Sequence, residues 1–268
     1  MTEPQKPQES QQPLAERFSA PGGSGLITAT TVEDFRRNLA AVRARLTAAA
    51  ARAGRDASEI RLLPVSKTVP EERLRSAHAA GITRMGENKV QEARRKAAAL
   101  ADLDIRWAVI GHLQTNKAKD VAAFASEFQA LDSLRVAEAL DRRLQAAGRG
   151  LDVYVQVNSS GEPSKFGLDP AEVTAFLAAL PAYSSLRVRG LMTLAAHTDD
   201  EGRIRECFRL MRALRDAGLQ AGTVGDGRLS MGMSGDFEGG STCVRVGRAI
   251  FGRRPTPGPH RPDGGAGA

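Results

Sequence analysis

Short apolar segments alternate with helical ones along most of this chain, and no other feature restricts its fold as strongly. Strand candidates fall at 60–66 (IRLLPVS), 82–87 (ITRMGE), 105–111 (IRWAVIG) and 128–133 (FQALDS). Four more follow at 151–158 (LDVYVQVN), 188–193 (VRGLMT), 228–233 (RLSMGM) and 243–247 (CVRVG). Helical stretches such as PEERLRSAHAAG, SLRVAEALDRRLQAAG and DPAEVTAFLAAL separate most of them. Strands alternating with helices make βαβ units and a parallel sheet. Eight strands in roughly 220 residues suit a single closed (β/α)₈ TIM-type barrel, whose range begins near ~200. A doubly wound open sheet is the competing arrangement, and the strand count favours the barrel.

One helix precedes the first strand. In TVEDFRRNLAAVRARLTAAAARAG, Thr31 is placed to cap and Asp34 stands three residues on, close to a capping box. Phe35, Leu39, Val42 and Leu46 share one helical face, and Gly54 ends the run. Residues 1–30 are rich in Gln, Pro, Ser and Gly and bury too little apolar area to offset their ordering entropy. They are predicted to be a disordered tail, as are residues 255–268. One barrel domain is predicted for 31–254.

Composition narrows the function. No apolar run approaches the ~20 residues of a membrane span, and the N-terminus lacks the basic start and apolar core of a secretory signal. Only Cys207 and Cys243 occur, without CxxC spacing, which suits a reduced, cytoplasmic protein. The formal charge of +7 favours anionic ligands, but aromatics are only 4% of the chain, too sparse for a base-stacking surface. No nucleic acid partner is expected. His78 and His197 have no partners at metal spacing, so no metal is expected.

Within this frame LLPVSKTVP, 62–70, sets Lys67 directly after the first strand. A lysine there ordinarily lays its stem on apolar surface and its head in water. In a (β/α)₈ barrel, however, the C-terminal ends of the strands carry the active site. An amine partly withdrawn from water has its neutral, nucleophilic form favoured and can condense with an aldehyde. Barrels often seat phosphate in the loops after strands seven and eight. Here that region reads LSMGMSGDFEGGSTCVRVGRAIFG, 229–252. Its glycines permit close backbone approach, Ser230, Ser234, Ser241 and Thr242 offer hydroxyls, and Arg245 and Arg248 add positive charge. A flexible polar loop with turn glycines accounts for the same residues equally well. GxxxxGK[ST] is absent, which disfavours a nucleotide P-loop. An amine and a phosphate cradle together suit pyridoxal phosphate. Arg245, always charged, would keep the pyridine nitrogen unprotonated and weaken the ring as an electron sink.

The segments PVSKT, GENKVQE (86–92), WAVIGHLQTNK (107–117), VQVNSSGEPSKFGL (155–168), GLMT (190–193), LSMGMSGDFE (229–238) and GSTCVRVGRAIFG (240–252) occur in an order that resembles the pyridoxal phosphate homeostasis proteins, over residues 31–254. The resemblance implies one barrel like the N-terminal domain of alanine racemase, with pyridoxal phosphate held on Lys67 as an internal aldimine. It implies Asn88 near the ring, and Ser230, Ser241 and Thr242 at the phosphate. VRVGRAIFG is also similar to the segment of alanine racemase that supplies an arginine to the ring nitrogen and amides to the phosphate. Those roles pass to Arg245, Gly247 and Arg248. The implied function is intracellular homeostasis of the cofactor without a defined catalytic reaction, with pyridoxal phosphate-dependent apoenzymes as recipients. Two positions depart from the pattern. Lys89 stands where the family often has tyrosine. Glu238 runs straight into Gly239, where relatives carry about one further helical turn, ~3.6 residues. That loss either keeps the register or moves Ser241 and Thr242 away from the phosphate.

The alternative is an amino-acid racemase or lyase, with Lys67 as one base and His112 or Lys165 as the other. A racemase on this scaffold takes its second base, a tyrosine, from a further domain. Here Tyr154 and Tyr183 both fall inside the barrel sequence. Loop fixation is the favoured role for His112 and a solvated loop charge for Lys165. A monomer is expected.

Overall fold

The computed structural model describes residues 28–196, 198, 200–232 and 240–252. Of the tails expected at 1–30 and 255–268, residues 1–27 and 255–268 lie outside the described residues, as does the 238–239 junction. Eight parallel strands occupy the predicted places: β1 (Arg61–Pro64), β2 (Arg84–Glu87), β3 (Arg106–Val109), β4 (Glu127–Leu131), β5 (Leu151–Gln156), β6 (Leu186–Met192), β7 (Arg228–Ser230) and β8 (Cys243–Val246). Their order around the sheet is β1-β8-β7-β6-β5-β4-β3-β2. The remaining seam, between β1 and β2, is joined by a parallel bridge of Val65 with Gly86 and by the Ser66 amide donating to the Gly86 carbonyl at 3.0 Å. The expected (β/α)₈ barrel is therefore what the chain forms, and the open sheet is not.

Between the strands run α2 (Glu71–Ala79), α3 (Val90–Ala99), α4 (Ala118–Phe124), α5 (Leu134–Ala146), α6 (Val173–Ala179) and α7 (Glu201–Gln220). They are preceded by α1 (Val32–Arg52) and followed by α8 (Arg248–Phe251). The capping box forms: the Thr31 side chain accepts from the Asp34 amide at 3.2 Å and Asp34 accepts from the Thr31 amide at 3.1 Å. The apolar face read from the sequence is buried, with Phe35 fully covered. Phe35 meets Phe251 of α8 edge-on, ring centres 5.6 Å apart. Asn38 adds a bond from its amide to the Ile250 carbonyl at 3.0 Å. In this way α1 is fastened over the end of the chain's last strand unit.

Beside a small cluster of Leu63, Ala108 and Cys243, two large apolar cores result among the described residues. One lies between β3–β7 and the helices from α3 to α7, and the other joins α1, α2 and α8 to the β1–β3 and β8 side. β4 and β8 are buried at every position because one face meets helices and the other points into the barrel. The inward positions are not all apolar: Glu127, Gln129, Tyr154, Ser230 and Arg245 are all buried. A polar column therefore runs through the barrel.

Candidate functional site

The end of β1 places Lys67. The chain leaves the sheet at Val65, whose amide donates to the Val246 carbonyl at 2.8 Å, and Lys67 follows half-buried at the C-terminal rim. Thr68, next in the chain, has φ 66 and is the one non-glycine with positive φ among the described residues. For a β-branched residue that is a strained conformation.

Neighbouring strands bring the other rim residues up. Asn88 follows β2 and is exposed. Its carbonyl oxygen lies 2.1 Å from where a Cβ on Gly111 would stand, so only glycine at 111 lets the β3 loop close against it. Gly247 follows β8, directly beside β1; a Cβ there would come within 3.2 Å of the Val65 carbonyl. Arg248 is exposed and begins α8. The first amides of a helix have no acceptor within it and are open to an anion.

Arg245 lies beneath the rim, opposite Leu63 of β1. Lys67 stands four residues beyond Leu63, at most about 13 Å of extended chain. The Arg245 guanidinium donates to Ser230 Oγ at 2.6 Å and to the Thr193 carbonyl at 2.7 Å. Burial lowers its pKa to about 10, which leaves it charged at neutral pH. Ser230 Oγ in turn donates to Gln129 Oε1 at 2.7 Å. A hydroxyl has one proton to give. In this arrangement Ser230 gives it to Gln129, so the serine orients Arg245 and has no proton left for a phosphate oxygen.

Ser241 and Thr242 are not brought to this rim. Both precede β8, and the Arg61 amide donates to the Thr242 carbonyl at 2.9 Å, level with the start of β1. Lys67 is six residues further on, at most about 20 Å of extended chain. Ser241 Oγ reaches the Met231 carbonyl at 2.7 Å, and Thr242 Oγ1 accepts from the Leu229 amide at 2.8 Å. Their hydroxyls stitch β7 to β8. The expectation placed them with the loop after β7, but the chain crosses to the barrel's other end before β8 begins.

The remaining candidates hold loops together. His112 Nδ1 stands 3.6 Å from Asp132 Oδ2, and its ring stacks on Phe166 at 3.9 Å and 10°. Burial raises the pKa of Asp132, with His112 opposing the shift. Lys165 Nζ donates to Glu162 Oε1 at 2.9 Å and to the Ala195 carbonyl at 2.8 Å. Tyr154 lies inside the barrel by Arg61, its hydroxyl 3.3 Å from the guanidinium. Burial, reinforced by Glu127, pushes its pKa up to about 12. It is at the end remote from Lys67. No group of three or more His, Cys, Asp or Glu that could hold a metal ion occurs among the described residues. No helix there is long and apolar enough to cross a membrane.

The sequence reading missed Lys96, Glu87 and Glu92, which lie behind Lys67. A signal was present: Val90, Ala93 and Leu100 mark the buried side of α3, and Lys96 falls in phase with them.

Residues 37–255 match the alanine racemase N-terminal domain family. The pyridoxal phosphate homeostasis protein of Pseudomonas aeruginosa is 42% identical over 222 residues, covering 81% of this chain and 94% of that protein. The chain is a member of the pyridoxal phosphate homeostasis protein family. The Escherichia coli member is 40% identical over 230 residues, 83% of this chain and 98% of its own. Among solved structures, PipY of Synechococcus elongatus without PLP superposes with a TM-score of 0.74 at 34% identity, over 81% of this chain and 100% of that one. PipY with PLP bound superposes at 0.71 and 33% identity, with the same coverage. Alanine racemase of Streptomyces lavendulae, 20% identical with a TM-score of 0.66 over 85% of this chain and 59% of that one, shares the fold.

Proposed function

We propose that this chain binds pyridoxal phosphate covalently through Lys67 and serves its intracellular homeostasis rather than a defined catalytic reaction. The observation that carries the proposal is the position of Lys67, half-buried at the C-terminal rim between Gly247 and Asn88 and above the buried Arg245. The donor set suits the ligand. The Lys67 amine would take the aldehyde, the Arg245 guanidinium the ring nitrogen, and the amides at Gly247 and Arg248 with the Arg248 side chain the phosphate. Gly247 and Arg248 stay in the seat as expected, and Ser241 and Thr242 are left out of it. When bound, the cofactor supplies the aldehyde and an electron-withdrawing ring. Arg245 would hold that ring's nitrogen as an acceptor without giving it a proton, which would restrain the ring as an electron sink. The relatives are named as homeostasis proteins, and PipY is described with PLP bound.

The racemase or lyase alternative needs a second base at the rim. Tyr154 is at the wrong end, and His112 is held against Asp132 and Phe166. The proposed state is a cytoplasmic monomer that passes the cofactor to apoenzymes.

The test is the absorbance spectrum of the chain mixed with pyridoxal phosphate. A band near ~420 nm is expected, bleached by borohydride with the reduced adduct on Lys67. Lys67→Ala is expected to abolish the band and leave the fold intact. A band that survives in this variant would transfer the role to another lysine. Overnight incubation with L-amino acids in D₂O is expected to put no more deuterium at Cα than free cofactor does; more would favour the enzyme.

A further inference from the structure

Lys96 is fully buried on α3, yet all three of its protons are placed. Its Nζ donates to the Ser66 carbonyl at 2.8 Å, to Glu87 Oε1 at 2.7 Å and to Glu92 Oε1 at 2.7 Å. Ser66 and Glu87 are also fully buried, and Ser66 Oγ donates to Glu87 Oε1 at 2.6 Å. Glu92 Oε1 accepts one further bond, from the backbone amide of Thr68 at 2.7 Å. The two residues flanking Lys67 are thus both tied to one cluster: Ser66 by its carbonyl and hydroxyl, Thr68 by its amide.

Stability alone is a poor reason for such a cluster. An ion pair taken wholly out of water recovers its desolvation cost only with near-ideal geometry, and a packed apolar side chain of similar volume often serves as well. Glu87 Oε2 is buried with no hydrogen-bond partner, a further cost. What the cluster does locally is specific. It holds Thr68 at φ 66, a backbone conformation that β-branched side chains resist. Such strain persists only where surrounding contacts over-determine it.

We propose that Lys96 and Glu92 are positioning residues for Lys67: with Glu87 they lock the 66–68 turn in its left-handed kink and so fix the direction in which the Lys67 amine leaves the end of β1. The inference rests on Lys67 being the amine that takes the cofactor. Neither Lys96 nor Glu92 needs to touch the ligand. Lys96 acts on the carbonyl before Lys67 and Glu92 on the amide after it, which sets the start of the Lys67 side chain between two fixed points. Misdirecting a reacting amine by about an ångström costs on the order of a hundredfold in reaction.

Lys96→Met and Glu92→Ala test this, the second cutting a partly exposed side chain in case the first fails to fold. Two measurements are made on each folded variant. Hydrogen exchange of the ligand-free chain follows the Thr68 amide, expected to exchange at least about tenfold faster while amides of β4 and β5 keep their rates. Titration with pyridoxal phosphate follows the band near ~420 nm, expected to need at least about tenfold more cofactor, with the adduct still on Lys67. Thr68→Gly is then added. Glycine adopts φ 66 without strain, so the double variant Thr68→Gly/Glu92→Ala is expected to recover most of the lost affinity. A merely structural role for the cluster would give no such rescue. Wild-type affinity in either folded variant, an unchanged Thr68 exchange rate, or absence of rescue would each overturn the proposal. If the unaltered chain forms no adduct, the covalent reading fails on its own, and Thr68 exchange still decides whether the cluster locks the turn.

Discussion

At the scale of single residues, the site is a division of labour among three buried or half-buried cations. Lys67 is the one at the rim. Lys96 is neutralised by the two glutamates around it, whereas the partners of Arg245 among the described residues are a hydroxyl and a carbonyl, not a carboxylate. A buried guanidinium without a counter-ion is costly, and it is the group a ring nitrogen would approach as an acceptor. Arg245→Ala is therefore expected to leave the adduct on Lys67 intact and to release cofactor about tenfold faster, the equivalent of ~1.4 kcal/mol. Stopped-flow transfer to an excess of an apoenzyme would measure it, and unchanged release would remove Arg245 from the ring. The same variant frees Ser230 from its guanidinium donor.

At the scale of elements, α1 depends on its first turn. The Asp34 carboxylate accepts the amides of Thr30 and Thr31 and pairs with Arg37 at 2.7 Å. The Thr31 bonds, then that of Thr30, bring its pKa from 3.8 down to about 2. The folded helix thus prefers the ionised form. Its contribution is complete above about pH 4 and is lost as pH falls toward 2. Circular dichroism of Asp34→Asn is expected to show that acid-dependent step removed. Thr31→Ala should cost about 1 kcal/mol in urea unfolding, because the Asp34 amide at the helix start loses its acceptor. A cost near zero would mean that α1 is held by its buried face and its contacts with α8, and not by its cap.

At the scale of the whole molecule, the two ends of the barrel do different work. The rim after the strands gathers Lys67, Asn88, Gly247 and Arg248. The opposite end is closed by Glu127, which takes two bonds from Arg61 at 2.7 and 2.8 Å and stands 3.5 Å from Arg84. Arg61→Met takes away both short bonds to that carboxylate, leaving it Arg84 and Gln129, and is expected to cost about 3 kcal/mol. Cofactor affinity should stay within about twofold, since Arg61 begins β1 and Lys67 lies beyond its other end. Urea unfolding and the ~420 nm titration separate the two effects. A large loss of affinity with little loss of stability would show that the polar column couples the ends.

Much of this was legible in the sequence because it depends on local order. Strand and helix periods, the Thr31–Asp34 cap and the place of Lys67 after β1 are set by residues within a few positions of one another, and all appear as expected. The places of the candidate residues were legible where a residue directly follows its strand, as Lys67, Asn88 and Gly247 do. It was not legible for Ser241 and Thr242. Residues near β8 in sequence sit at either pole according to the side of the strand on which they fall, and the β7–β8 crossover puts these two at the wrong one. Nor could spacing reveal that Lys96, 29 residues beyond Lys67 in the chain, fixes the turn that carries it. Local order determined the barrel and the amine at its mouth. The direction of that amine and the partners of each buried charge were decided by tertiary structure, because a desolvated ion takes its partners from whatever the closed fold brings within about 3 Å.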